Sequence, residues 1–94
     1  MTHTATQPNL ATIPAPAGAT GITEWLLWDD GVWIRSFDHC AYEGLVEITG
    51  TQTSDGAVGY TVSVSRIEEL DAADARRLAV LLEVAAAEVD RLNG

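Results

Sequence analysis

The chain has 94 residues, 14 of them acidic and 5 basic, for a formal net charge of -9. That length holds one small domain at most. The acid excess, with five scattered Arg and no Lys, excludes a surface built to displace counterions from phosphate, and with it direct nucleic-acid binding. The same deficit speaks against docking on anionic lipid, and no apolar run approaches the roughly 20 residues of a membrane-spanning helix.

Residues 1–21 read as a disordered Thr/Ala/Pro tail. Pro8, Pro14 and Pro16 are spaced through it, and Leu10 and Ile13 are its only sizeable apolar groups. Such a stretch buries too little surface to offset the entropy of ordering it. No basic region followed by an apolar core is seen near the start, so no secretory signal is read. Cys40 is the only cysteine, which rules out an intrachain disulfide and makes a reduced, cytoplasmic setting the expectation.

Residues 22–94 read as the single folded domain. Thr23 to Trp28 and Val32 to Phe37 flank Asp29-Asp30-Gly31. Two aromatic and β-branched runs around such a turn predict a hairpin, with Gly31 in the left-handed third position of a three-residue loop. Trp28 then faces Val32, and Leu26 faces Ile34. A loop follows at Asp38–Gly44. The second hairpin runs from Leu45 to Thr53, turns at Ser54-Asp55-Gly56 and returns from Ala57 to Arg66. A two-residue turn would set Ile48 opposite Ser63. A three-residue loop sets Val46 opposite Val64, Ile48 opposite Val62 and Gly50 opposite Tyr60. A slip of one residue moves every side chain to the other face, so the apolar pattern selects the three-residue loop. Tyr60 is expected to lie across Gly50 and cover the weak point a strand glycine leaves. One face is then apolar (Val46, Ile48, Val58, Tyr60, Val62, Val64) and the other polar, as in an antiparallel sheet wet on one side.

Asp71 is placed as an N-cap with Asp74 three residues on, opening a helix from about Ala72 to Leu92. Leu78, Leu81, Leu82, Ala85, Val89 and Leu92 form its core stripe. The predicted fold is α+β: a four-stranded antiparallel meander of two hairpins with one C-terminal helix packed on one face, ββββα.

Two features exceed what one helix covers. Hairpin one is apolar on both faces, with Leu26, Trp28, Val32 and Ile34 on one side and Trp25, Leu27, Trp33 and Phe37 on the other, with Arg35 among the latter. A large apolar patch marks an interface, and Trp and Arg are frequent anchors, so Trp25, Leu27, Trp33, Arg35 and Phe37 are the candidate partner-binding residues. The competing reading folds the 38–44 loop or the tail over this face. The helix back carries Val80, Val84, Ala87 and Arg91, which reads either as ordinary helix surface or as an antiparallel contact between two copies.

Asp38-His39-Cys40-Ala41-Tyr42-Glu43 is the only run with several reactive residue types. Neighbouring residues in extended chain point opposite ways, so His39 is not expected to activate Cys40. Ligands for a metal fall short of the four a zinc site needs, and no phosphate-cradling or nucleophile-elbow motif is found. No metal, cofactor or catalytic residue is assigned.

Ala75-Arg76-Arg77-Leu78-Ala79, Leu82, Ala85-Ala86 and Glu88-Val89-Asp90-Arg91-Leu92 carry a resemblance. The stretch resembles short proteins of actinobacteria and their phages that have a strand pair followed by an A-R-x-L-A-x-x-L-x-x-A-A helix. The resemblance implies a phage or actinobacterial setting and no particular activity. The leading expectation is a non-enzymatic, homodimeric protein-protein interaction module that acts on a host or cellular protein. One alternative is an acidic DNA mimic that blocks a nucleic-acid-binding protein. Another is a small ligand-binding or enzymatic subunit that uses the 38–43 loop.

Overall fold

Three glycine-bearing turns lay the chain out as a meander. The computed structural model describes residues 9–65 and 69–94. After a single 3-10 turn at Leu10–Thr12 come β1 (Leu26–Leu27), β2 (Trp33–Tyr42), β3 (Val46–Thr53), β4 (Val58–Val64) and α1 (Ala72–Asn93). The strands are antiparallel in the order β1-β2-β3-β4, which is the expected ββββα architecture. The tail's first eight residues, with His3 and Pro8, lie outside the described residues. So do Arg66, the expected end of the second hairpin, and the two residues after it.

The first turn is closed by Trp28 N–H to the Val32 carbonyl at 3.0 Å and Gly31 N–H to the Trp28 carbonyl at 2.9 Å. Gly31 takes φ 83°, a left-handed conformation that suits glycine, and Leu26 pairs with Ile34 as the pattern requires. The last turn repeats the design. Gly56 takes φ 99°, and Val46, Ile48 and Gly50 pair with Val64, Val62 and Tyr60. Here Asp55 accepts from the Thr53 hydroxyl and from Ala57 N–H. These bonds favour the carboxylate and hold its pKa below the usual range. Their contribution is present above the unfolded-state pKa and fades as pH falls through the lower folded one.

The middle turn differs from expectation. Asp38–Gly44 is not a loop, because β2 continues through Tyr42. Glu43 at φ 53° and Gly44 at φ 69° then reverse the chain, closed by Leu45 N–H to the Tyr42 carbonyl. A bulge makes this possible. Asp38 pairs with Thr49 and Cys40 with Ile48, leaving His39 as the extra residue.

The helix side of the sheet holds the core, with Val46, Ile48, Leu81 and Ala85 buried. Cys40, Tyr42, Tyr60, Val62 and most of the expected helical stripe pack around them. Val58 and Val64, at the two ends of β4, are exposed. The outer face is a hydroxyl ladder, with Thr49 bonded to Ser63 and Thr61. Asp71 accepts from Asp74 N–H at 2.8 Å, capping the helix as expected. Asp71→Ala is expected to cost about 1 kcal/mol, lowering Tm by about 4–8 °C in a thermal melt. At the other end the Asn93 side chain donates to the Tyr60 carbonyl at 3.0 Å and accepts from Tyr60 N–H at 2.9 Å. It thereby fills part of the open β4 edge.

Residues 9–21 do not stand off as a tail. The Ile13 carbonyl accepts from Arg35 at 3.1 Å, and the Pro14 carbonyl accepts from Gln52 at 2.9 Å. Gly18 lies against His39, and Thr20 pairs with Asp38 along the β2 edge. Thr23 continues that pairing with Ser36. Composition misses this because it counts apolar area only. The helix cannot supply acceptors to Arg35 and the buried Gln52, whereas an extended proline-containing segment carries free carbonyls.

Candidate functional site

The five expected partner-binding residues do not share an open surface. Phe37 is 1% exposed. Its ring meets Tyr60 edge-on with centroids 5.6 Å apart. On β2 it stands between Arg35, tied to Ile13, and His39, whose ring faces Gly18. The N-terminal segment therefore crosses over it. Arg35 is held from both sides, donating to Gln52 Oε1 at 2.8 Å and lying 4.4 Å from the centre of the Trp25 ring. Trp25 and Trp33 are half-buried, and only Leu27 is open. Of the two ways considered for covering this face from within, the chain uses its own N-terminal segment.

The apolar surface left open lies at the hairpin tip. Leu26, Leu27 and Trp28 are 64%, 58% and 57% exposed, with Ile22 nearby in sequence and also exposed. Leu26 pairs with Ile34, which shares the outer, polar face of the sheet with Thr51 and Thr53. Exposed Glu24, Asp29 and Asp30 flank these residues in the chain. Alternation along the strand separates Leu26 and Trp28 from Trp25, Leu27 and Trp33. Which set lies inside depends on the pairing of β2 with β3, which alternation alone does not carry.

The helix-back residues Val80, Val84, Ala87 and Arg91 are all exposed. Arg91 grips Glu88 with two bonds of 2.8 and 2.6 Å. That contact holds the Glu88 carboxyl below its ordinary pKa and raises the Arg91 guanidinium. Arg77 makes an ion pair with Glu43 on the middle turn.

The bulge overturns one expectation in the 38–43 run. His39 and Cys40 both face the helix side, His39 with its ring edge-on to Tyr60 at 5.5 Å and Cys40 packed on the core. His39 Nδ1 is buried without a hydrogen-bond partner. Hydrogen bonding with Cys40, then burial, pushes the Tyr42 phenol up from its ordinary pKa. Among the described residues no three His, Cys, Asp or Glu side chains converge as metal ligands. Of the described acids, Asp29, Asp30, Glu43 and Asp55 lie on the turns, Asp38 and Glu47 on the outer face, Glu24 just before β1, and the rest around α1. No helix among the described residues is long and apolar enough to cross a membrane. Comparison of the chain with protein-family models, curated proteins and solved structures finds no match in any of the three.

Proposed function

We propose that the protein is a small, cytoplasmic, non-enzymatic interaction module that acts as a homodimer and binds another protein through the tip of its first hairpin. The observation that carries this reading is the run Leu26-Leu27-Trp28, three large apolar side chains left open at one end of a sheet whose other apolar groups are mostly covered. Burying each is worth about 1.5–3 kcal/mol, and residues of this kind act as anchors inside a polar rim. With Glu24, Asp29 and Asp30 as that rim, the complementary site is an apolar groove edged by Lys or Arg. A phage origin with a host protein as target accords with the resemblance of the helix.

The test is capture from lysate with tagged wild type, a Leu26→Asp/Trp28→Ala variant, and Val58→Thr as an exposed control. Both variants are expected to keep the wild-type melting curve, since exposed substitutions usually change stability by less than about 0.5 kcal/mol. A partner retained by wild type and Val58→Thr but lost from Leu26→Asp/Trp28→Ala supports the reading. A partner set indifferent to the hairpin variant defeats it.

A further inference from the structure

We propose that two copies pair through the back of α1, antiparallel, with the two-fold axis beside Glu83. This arrangement rests on the homodimer reading above and adds to it a surface, an orientation and a register.

Spacing comes first. Ala73, Arg77, Val80, Val84, Ala87 and Arg91 follow one another at steps of four, three, four, three and four residues. That is the a/d alternation of a coiled-coil seam. All six are exposed, with Val80 at 52% and Val84 at 47%. The seam is distinct from the stripe that packs on the sheet, whose centre lies about 120° around the helix at 3.6 residues per turn. A helix with one job would need only the second stripe.

Charge then sets the orientation. In a parallel pair Arg77 would meet Arg77, and Arg91 would meet Arg91, at the centre of the seam. In the antiparallel pair Val80 lies opposite Val84, Arg77 opposite Ala87 and beside Glu88, and Arg91 opposite Ala73 and beside Asp74. Along the outer flank Arg76 lies opposite Asp90. Like charges meet where Glu83 faces its own copy and where Asp74 lies opposite Glu88, the latter pair standing between Arg77 and Arg91. The ion pairs made within the chain do not prevent this, since the Arg77 and Arg91 side chains remain 56% and 68% exposed. The free edge of β4 is a poorer place for a second copy. There the Asn93 amide already holds the Tyr60 N–H and carbonyl.

The experiment combines light scattering with cysteine cross-linking on the full chain carrying Cys40→Ser. Wild type is expected to show a concentration-dependent dimer, and Val84→Glu a monomer that melts like wild type diluted below its dimerisation range. Glu83→Cys is expected to form a disulfide-linked dimer on mild oxidation. Arg76→Cys is not, because its two copies stand about 18 Å apart along the helix axis, against the roughly 7 Å limit between Cα atoms of a disulfide. Arg76→Cys mixed with Asp90→Cys should link. A dimer insensitive to Val84→Glu, or one in which Arg76→Cys links as readily as Glu83→Cys, overturns the seam and leaves the homodimer standing. A monomer at every concentration up to about 1 mM, equivalent to an affinity weaker than about -4.1 kcal/mol, overturns both.

Discussion

A chain that begins at Ile22 is expected to be largely unfolded under conditions where the full chain folds cooperatively. Removing residues 1–21 takes away the carbonyls of Ile13 and Pro14 that receive Arg35 and Gln52. It also removes the two backbone bonds between Thr20 and Asp38, of 2.8 and 2.7 Å. Water replaces these partners, so each bond loses only its net worth of about 0.5–1.5 kcal/mol, more for the charged guanidinium. The larger loss is at Phe37, whose re-exposure costs about 1.5–3 kcal/mol. Together these match the roughly 3–5 kcal/mol that a core of this size supplies. Urea unfolding followed by tryptophan fluorescence measures the difference directly. A shortened chain with the full-chain midpoint and slope would show that the segment rests on the sheet without supporting it.

The two outer turns were legible in the sequence because two independent signals agreed there. Gly31 and Gly56 each stand third in a three-residue loop, and the apolar alternation of Val46, Ile48, Val62 and Val64 fits only that loop length. The helix was legible for a similar reason, with the Asp71 cap and the leucine stripe pointing to the same start. The middle connection was hidden by a single residue. With Tyr42 opposite Val46, counting back without interruption sets Phe37 opposite Thr51, on the wet face. The bulge at His39 shifts the count by one and brings Phe37 opposite Gly50, so the ring turns inward. Alternation cannot announce such a step, because the extra residue breaks the very period being read. The same shift decided which face of hairpin one is inside. It left Leu26 and Trp28 open on the outer face, while of the expected set, Trp25, Leu27, Trp33, Arg35 and Phe37, only Leu27 stays open.

Gly50→Ala is expected to destabilise the fold by about 1–3 kcal/mol, the range for overpacking a filled core. Phe37→Ala should do so by about 3–5 kcal/mol. The two residues form one device. Tyr60 pairs with Gly50 across the strands, but it is the Phe37 ring that lies on the glycine. A Cβ there would run into the ring, with 2.8 and 2.9 Å to Cε2 and Cε1. Shortening the ring should therefore relieve the added methyl. The double variant Gly50→Ala/Phe37→Leu is expected to be more stable than the sum of its single changes, by a coupling of about 0.5–3 kcal/mol. Strict additivity in denaturant midpoints would mean that the ring is not seated on Gly50. The coupling also separates folding from binding at this hairpin. Phe37→Ala should abolish partner capture only by unfolding the sheet, in step with its lost melting transition. Trp28→Ala, at an exposed position on the hairpin tip, should abolish capture with that transition intact.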